Sequence, residues 1–234
     1  MFALARLYAH VYGFFKDHFN VHIRGFGFVL RNLRRDRYIR LGSGVIFFRS
    51  SIAQSYARNV VGQWNEPETH LLFNHLFSQI DIKTFVDAGA NVGEMVLDIG
   101  MRPAIEKIYV FEPQVACLEV IRRTAEVNNY ADKLHSFAYV VSDSSGERVP
   151  FLISSDISDS SVTARAGSAS KVTEVITVKL EDALIDCESE MLMLLDIEGS
   201  ELRGLKGARS VIRDLQPVII FEYNYVTKEF FSLD

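Results

Sequence analysis

The stretch Thr84-Phe-Val-Asp-Ala-Gly-Ala-Asn-Val-Gly93 decides the fold of this 234-residue chain. Its first half is an apolar run typical of a buried strand, and the run ends in an acid, Asp87, and a glycine turn. The turn leads into a helix, which we expect to begin near Asn91. A turn of this kind, at the carboxyl end of a parallel strand, holds a nucleotide-type ligand at the following helix.

A second apolar strand, Ile108–Phe111, ends in Glu112-Pro113, and Glu112 lies nineteen residues after Gly93. An acid in this position can accept hydrogen bonds from both hydroxyls of a ribose. The two segments together therefore predict a cofactor that contains adenosine.

The spacing of the glycines indicates which cofactor this is. Gly89 and Gly93 form a G-x-x-x-G pattern, whereas dinucleotide binding uses G-x-G-x-x-G with a pyrophosphate on the helix N-terminus. The Asp87 carboxylate would repel a pyrophosphate, but it would accept a hydrogen bond from an ammonium group. This favours S-adenosyl-L-methionine over NAD, and a tight strand–helix turn without a ligand is the alternative.

From residue 84 onward, apolar strands and amphipathic helices alternate, which predicts an α/β fold with a doubly wound parallel sheet. The predicted strands lie near 84–88, 108–112, 135–142, 190–196 and 217–222, and the predicted helices near 92–101, 114–128 and 200–214. Two further strands, near 148–153 and 173–180, flank the serine-rich segment 154–170. We interpret that segment as a loop or lid.

The first part of the chain has a different character. Residues 2–18 have helical periodicity, residues 21–49 consist of short β-type runs, and residues 51–61 suit a short helix. We expect an N-terminal helix and small β extension over residues 1–61. The first 65 residues are basic and the remainder is acidic, for a net charge of −5. The basic part suits an anionic substrate or a membrane surface, or its arginines simply solvate strand edges.

Composition restricts the class of protein further. With 48% hydrophobic residues the chain can build a substantial core. No segment is long and uncharged enough to predict a membrane span, and Met1–Phe15 is not typical of a secretory signal. The two cysteines, Cys117 and Cys187, lack zinc-binding spacing and indicate free thiols in a reducing compartment, so we expect a cytoplasmic protein.

More polar residues follow the later strands. Ser142 and Asp143 end the predicted third strand, where they could meet the amine of an adenine, although Asp143 also suits a turn. Asp196 and Glu198 follow the fourth strand, and Glu222 follows the fifth. Clustered carboxylates can act as a general base, hold a metal or orient a substrate hydroxyl.

If the methyl group of S-adenosyl-L-methionine is transferred to an alcohol, a base has to take up the proton of the hydroxyl group. No histidine occurs after His135, so the base is a carboxylate or an earlier histidine such as His70. We predict that Asp196 is the base, with Glu198 and Glu222 as the other catalytic candidates, and we assign no metal.

In this order and spacing, five motifs resemble the FkbM family of S-adenosylmethionine-dependent methyltransferases. The motifs are FVDAGANVGE, VFEP, YVVSD, LLDIEGSELRGLKGAR and PVIIFEY, and the likeness covers about residues 62–223. The resemblance implies a Rossmann-like class I methyltransferase fold in a domain of residues 62–234. It also implies methyl transfer to a hydroxyl of a sugar, glycan or polyketide-type small molecule.

The resemblance also assigns residues to parts of the cofactor. The motif around the glycine turn would hold the methionine part, the second motif the ribose and the third the adenine, while Asp196 would face the methyl group and Glu66 would close over the cofactor. By position, the cofactor-binding residues are Glu66, Asp87, Gly89, Ala90, Asn91, Gly93, Glu112, Pro113, Ser142, Asp143 and Asp196.

One departure from the family concerns the C-terminal part. Such folds continue past the fifth strand with a helix and a β-hairpin, whereas only 11 residues follow Tyr223 here. We therefore expect that the hairpin is absent. Three alternatives then remain for the sheet edge: it is bare, a partner completes it, or the N-terminal strands replace the hairpin. A homodimer, as one such alternative, would form through the N-terminal region or the open sheet edge.

Three other functions remain as alternatives. An NAD-dependent oxidoreductase is disfavoured by the missing third glycine, and a non-catalytic interaction module by the two cofactor acids. Methylation of nucleic acid is disfavoured by the acidic body and by the lack of an Asn-Pro-Pro-aromatic motif, so we expect no nucleic-acid partner.

Overall fold

The structure, a computed structural model, describes residues 36–49, 64–153, 171–188 and 190–223. All of them belong to the compact unit that begins at Asp36. The predicted helices over 2–18 and 51–61 and the serine-rich segment 154–170 lie outside the described residues. The boundary between residues 61 and 62 stays a prediction.

The described strands and helices are as follows, numbered in chain order. The strands are β1 (Asp36–Leu41), β2 (Gly44–Arg49), β3 (Thr84–Ala88), β4 (Lys107–Phe111), β5 (Leu134–Phe137), β6 (Tyr139–Val141), β7 (Arg148–Ile153), β8 (Lys171–Val178), β9 (Met191–Leu195) and β10 (Val218–Phe221). The helices are α1 (Pro67–Gln79), α2 (Glu94–Gly100), α3 (Val115–Val127), α4 (Leu180–Ala183), α5 (Glu201–Gly207) and α6 (Arg209–Leu215).

The central sheet contains five parallel strands in the order β10-β9-β3-β4-β5. The chain starts in the middle at β3, moves outward to β5, and later returns to the other side of β3 with β9 and β10. The order in which strands are added to the sheet therefore reverses between β3 and β9, although the two strands are parallel. Doubly wound sheets bind their ligands at such a switch point. The predicted fold class is therefore confirmed.

Both faces of the sheet are covered, which explains why its strands are apolar without alternation. Phe85, Ile108 and Leu192 pack toward α1, α2 and α3, while their sequence neighbours Val86 and Tyr109 pack toward α4, α5 and α6. Each strand residue thus meets a helix layer on one side or the other. All five residues of β3 and of β9 are buried as a result.

The predicted third strand, residues 135–142, is in fact two strands that belong to different sheets. β5 pairs with β4 in the central sheet, but β6 pairs with β8 in a second sheet of order β6-β8-β7. The chain changes sheets at Ala138. No glycine or proline marks this position, so a continuous apolar run gave the wrong interpretation.

Two predicted helices also differ from the observed ones. The first begins at Glu94 rather than near residue 92, because Gly89, Asn91 and Gly93 all have positive φ. A right-handed helix cannot include such residues. The helix expected over 200–214 is divided at Ala208 into α5 and α6.

The β1–β2 hairpin belongs to the predicted β extension, and it packs on the parallel-sheet domain. Leu41 and Ile46 are fully buried in the same cluster as α2 and α3. The backbone of Val45 exchanges two hydrogen bonds with the Asn128 side chain, at 2.9 Å and 2.5 Å. The side-chain amide of Asn128 thus binds the backbone N–H and C=O of Val45 as a neighbouring strand would.

Gly89 provides a test of how closely β3 and β9 approach. A Cβ added at Gly89 would lie 1.8 Å from the backbone oxygen of Asp196, whereas one at Gly146 would meet nothing within 4 Å. Both residues have positive φ. We therefore expect Gly146→Ala to cost about 1 kcal/mol, from backbone strain alone. Gly89→Ala should cost roughly 2–4 kcal/mol, since overpacking adds to the strain.

Urea denaturation of both variants would measure these costs. Equal losses of stability would show that the Gly89 contact relaxes without penalty.

Candidate functional site

The carboxyl ends of the parallel strands carry the candidate site. The residue after each of β3, β4, β9 and β10 donates its backbone N–H to the last residue of a neighbouring strand, over 2.9–3.1 Å. These residues are Gly89, Glu112, Asp196 and Glu222. The sheet pairing thus extends one residue beyond each strand, and it fixes three of the predicted acids along one edge.

The structure gives a packing reason for glycine at positions 89 and 93. The space that a side chain at Gly89 would take is occupied by the carbonyl of Asp196. The corresponding space at Gly93 is occupied by the side chain of Ile121, 2.7 Å away. Contact between these glycines and a cofactor stays a prediction, while packing of the protein itself already requires both of them.

Glu112 joins the turns that follow β3 and β4. Its Oε2 accepts the backbone N–H of Asn91 at 3.0 Å, and its Oε1 accepts that of Gln114 at 2.8 Å. The side chain of Gln114 gives this carboxylate a further hydrogen bond. A carboxylate offers about four acceptor positions, so these three bonds leave about one. The Glu112 side chain is only 4% exposed, and burial raises the pKa of Glu112 to about 7.

Two buried oxygens on the β3 turn have no hydrogen-bond partner within the described part of the chain. They are Oδ2 of Asp87 and Oδ1 of Asn91. Buried acceptors are normally satisfied, so such atoms indicate a missing donor. Burial is the main cause that raises the pKa of Asp87 well above its usual value, and the charges of Asp196, Glu112 and Glu66 raise it further.

Asp196, Glu198 and Glu222 form a tight group of carboxylates. One oxygen from each lies within 4.8 Å of the others. Burial raises the pKa of Asp196 to about 7, with further contributions from Glu222 and Glu198. Oxygen ligands at this separation also suit a divalent cation, so the geometry is compatible with a metal as well as with a base.

The loop after β9 holds Glu198 in an unusual backbone conformation, with a φ of 52°. Such conformations cost free energy and persist where surrounding contacts enforce them. Here Oε1 of Glu201 accepts the backbone N–H groups of Ile197 and Gly199, at 3.1 Å and 3.0 Å. Glu201 is 1% exposed, and it is the residue that shapes this loop.

The other predicted site residues are distributed as follows. Glu66 is exposed before α1, where its Oε2 accepts the hydroxyl of Thr69 at 3.2 Å, and its charge contributes to the raised pKa of Asp87 and of Asp196. Ser142 and Asp143 follow β6 and hydrogen-bond each other at 3.2 Å. They therefore extend from the second sheet, not from the sheet that carries the acids. Ala90 is buried on the β3 turn, and Pro113 is half-buried beside Glu112.

Sequence reasoning did not find every residue that shapes the site. Glu94 directly follows the glycine turn, yet no periodicity showed that its carboxylate accepts the N–H of Asn65 at 2.6 Å. Likewise, the two backbone bonds of Glu201 had no sequence signal beyond its position in a first helical turn. Both contacts depend on how loops fold back, which spacing alone does not encode.

The strand order and the acids at the strand ends define a Rossmann-like class I methyltransferase architecture. The family profile of the methyltransferase FkbM domain matches residues 87–233, which is well over half of the chain. The chain therefore belongs to the FkbM methyltransferase family, and it is an S-adenosylmethionine-dependent methyltransferase by class. No curated protein matches it.

Several solved structures are similar at low identity. Precorrin 8w decarboxylase of Methanobacterium thermoautotrophicum has 12% identity and a TM-score of 0.42, covering 70% of this chain and 67% of its own. Precorrin-6y C5,15-methyltransferase of Geobacter metallireducens has 13% identity and a TM-score of 0.41, covering 71% and 69%. The tRNA (uracil-54, C5)-methyltransferase of Pyrococcus abyssi, solved with S-adenosyl-L-homocysteine, has 15% identity and a TM-score of 0.42, covering 80% and 34%. Scores this low carry no functional argument.

The raised pKa of Asp196 predicts an unusual dependence of stability on pH. Because the folded-state pKa lies above the unfolded value, protonated Asp196 stabilises the fold at low pH, and this contribution is lost as pH rises through about 7. Asp196→Asn removes the titration. We expect the variant to gain about 1–2 kcal/mol over wild type between pH 5 and pH 8.

Urea denaturation of both proteins across that pH range would measure the difference. A difference that stays constant with pH would show that Asp196 ionises normally in the folded protein.

Proposed function

We propose that this protein is an O-methyltransferase that acts on a hydroxyl of a sugar, glycan or polyketide-type small molecule. The observation that carries the proposal is the position of Asp196 at the switch point, beside β3, with a pKa of about 7. A carboxylate with that pKa is well matched to accept a proton near neutral pH. The resemblance in sequence to the FkbM family supports oxygen as the acceptor atom.

The residues at the β3 and β4 turns fit S-adenosyl-L-methionine. The unpartnered oxygens of Asp87 and Asn91 can accept hydrogen bonds from its ammonium group. Glu112 retains an acceptor position beyond its bonds to Asn91 and Gln114, which suits a ribose hydroxyl. A cationic ligand also offsets the repulsion among the acids, whereas the pyrophosphate of NAD would add to it.

When bound, the cofactor supplies an electrophilic methyl group on a good leaving group. The protein then has to orient the acceptor oxygen in line with that methyl group, exclude water and take up the proton of the hydroxyl. We assign to Asp196 the role of the general base that accepts the proton of the hydroxyl group. Glu198 and Glu222, within 4.8 Å of it, orient the hydroxyl group and keep the pKa of Asp196 high.

The alternative base, His70, is engaged elsewhere. Its Nδ1 lies 2.6 Å from Asp98 Oδ2, and its Nε2 lies 3.1 Å from Glu94 Oε1. The ring also stacks on Trp64, with 4.0 Å between centroids, and it is 2% exposed. Since both nitrogens have partners in a buried site, the carboxylate is the better candidate.

Two further expectations accompany the proposal. Cys117 and Cys187 are both free thiols, which suits a reducing, cytoplasmic compartment. None of the helices in the described part of the chain is long and apolar enough to cross a membrane. A homodimer through the N-terminal region or the open sheet edge remains a prediction.

Cofactor binding gives the first test. We expect S-adenosyl-L-homocysteine to bind with micromolar affinity in calorimetric titration, and NAD not to bind. Glu112→Ala should weaken the binding at least about tenfold, because the hydrogen bond from a ribose hydroxyl to a buried carboxylate is lost. Glu106, exposed at the opposite end of β4, provides the matched control, and Glu106→Ala should bind as wild type does. Failure of the wild type to bind the thioether would refute the enzyme proposal.

Turnover gives the second test, with carbon-13 methyl-labelled S-adenosylmethionine and a panel of glycosides and polyhydroxylated polyketides. The chemical shift of the transferred methyl group distinguishes attachment to oxygen from attachment to nitrogen or carbon. Asp196→Asn should lower turnover by about 10²–10⁴-fold while the cofactor still binds. In wild type, kcat/KM should fall as pH drops below about 7, because the base must be ionised.

The exposed acid Asp81, before β3, is the matched control, and Asp81→Asn should leave turnover unchanged. Unchanged turnover in Asp196→Asn would exclude Asp196 as the base. Loss of activity on chelation, restored by a divalent cation, would instead assign Asp196, Glu198 and Glu222 to a metal.

A further inference from the structure

The segment Trp64–Glu66 precedes α1. Its first two residues, Trp64 and Asn65, each contact other parts of the protein. Trp64 stacks on the His70 ring and lies against the β1–β2 turn, where a Cβ on Gly42 would come within 2.5 Å of the indole. Asn65 donates its backbone N–H to Glu94 Oε1 over 2.6 Å. The next residue, Glu66, is the N-cap of α1.

Glu94 occupies a central position in these contacts. It is the first residue of α2, directly after the glycine turn, and it is 6% exposed. Its Oε1 accepts the N–H of Asn65 and also lies 3.1 Å from His70 Nε2. Asp98, one turn further along α2, binds the other nitrogen of His70 and Arg102. A single buried carboxylate therefore joins α2, α1 and the segment before α1.

Keeping a carboxylate in this position costs free energy. Burial raises the pKa of Glu94 to about 7, although the backbone N–H groups of Asn65 and Glu66 counteract this in part. An apolar residue would be cheaper if Glu94 served only to pack α2. What the carboxylate adds is an acceptor for the backbone immediately before Glu66.

Glu66 directly follows the residue that Glu94 binds, so it lies where α2 begins, beyond the carboxyl end of β3. Its side chain is exposed, and its Oε2 accepts the hydroxyl of Thr69 at 3.2 Å. Its charge also contributes to the raised pKa of Asp87 and of Asp196. Displacing the Trp64–Glu66 segment would therefore change the charge around a cationic cofactor.

We propose that Glu94 is a positioning residue for the methyltransferase reaction, acting by holding Glu66 over the carboxyl ends of β3 and β9. This inference rests on the proposed function of that same site. Glu66 contributes a negative charge toward the sulfonium of S-adenosylmethionine, and Glu94 sets where that charge lies. The effect of Glu94 on the cofactor passes through Glu66.

Binding measurements with charged and neutral forms of the cofactor separate this role from a structural one. Glu94→Met removes the acceptor at similar length, and we expect it to weaken S-adenosylmethionine binding about tenfold. S-adenosylhomocysteine lacks the positive sulfur, so its binding should change less. Glu94→Gln keeps an oxygen for the Asn65 N–H, and it should bind S-adenosylmethionine within about threefold of wild type.

A double-mutant cycle tests the route through Glu66. Glu66→Ala should weaken S-adenosylmethionine binding about as much as Glu94→Met does, and the double variant should be no weaker than Glu66→Ala alone. Losses that multiply, an unchanged ratio of the two ligand affinities, or no effect of Glu66→Ala would each overturn the inference. If the wild type binds neither ligand, the proposed function fails and takes this inference with it.

A second pair of variants keeps the test open if Glu94→Met does not fold. Asn65→Pro removes the N–H that Glu94 accepts, and Asn65→Ala keeps it. We expect the proline variant to lose affinity for S-adenosylmethionine as Glu94→Met would, and the alanine variant to bind as wild type does. Equal affinities for the two Asn65 variants would overturn the proposal.

Discussion

The close pairing of β3 with β9 is the constraint on which the rest of the structure depends. It brings the Asp196 carbonyl into the space that a side chain at residue 89 would occupy, and the Asp196 N–H bonds to Ala88. The two halves of the sheet meet along this line. Because the sheet reverses its strand order along this line, Asp196, which follows β9, lies at the edge where doubly wound sheets bind their ligands.

Charge is the second organising feature of the molecule. Asp87 and Glu112, 2% and 4% exposed, are carboxylates brought near one another and near Asp196 at the ends of three adjacent strands. The pKa of each of the three is raised. Backbone N–H groups compensate Glu112, but Asp87 retains a buried oxygen without a partner in the described residues. Under the proposed function, a positively charged cofactor would relieve the repulsion among these groups, and this relief would contribute to its binding free energy.

Much of this was accessible from the sequence, for physical reasons. The strands β3, β4, β9 and β10 were predictable because helices cover both of their faces, so their apolar runs are unbroken. The acids that follow them were predictable because polar residues at the carboxyl ends of parallel strands converge on one edge. That convergence is observed for Glu112, Asp196 and Glu222.

Other features had no signal in the sequence. The exchange of sheets at Ala138 depends on the edge that β8 offers to β6, a contact between residues far apart in the chain. The bond between Glu94 and Asn65 joins residues 29 positions apart, with no repeat to indicate it. The packing reason for glycine at residue 89 also had no sequence signal, because the neighbour that excludes a side chain is the backbone of Asp196.

The β1–β2 hairpin bears on where this protein can be divided. Thr124 of α3 and Asn128, which caps α3, bind the backbone of β2 through their side chains. Leu41 and Ile46 of the hairpin are buried in the same apolar cluster as α2 and α3. A fragment cut at residue 62 would expose that cluster and leave those polar groups to water. The hairpin is thus an integral part of the packing of the parallel-sheet domain, although it precedes that domain in the chain. Exchanging the N-terminal segments of two relatives would therefore require exchanging the surface of α3 that contacts the hairpin.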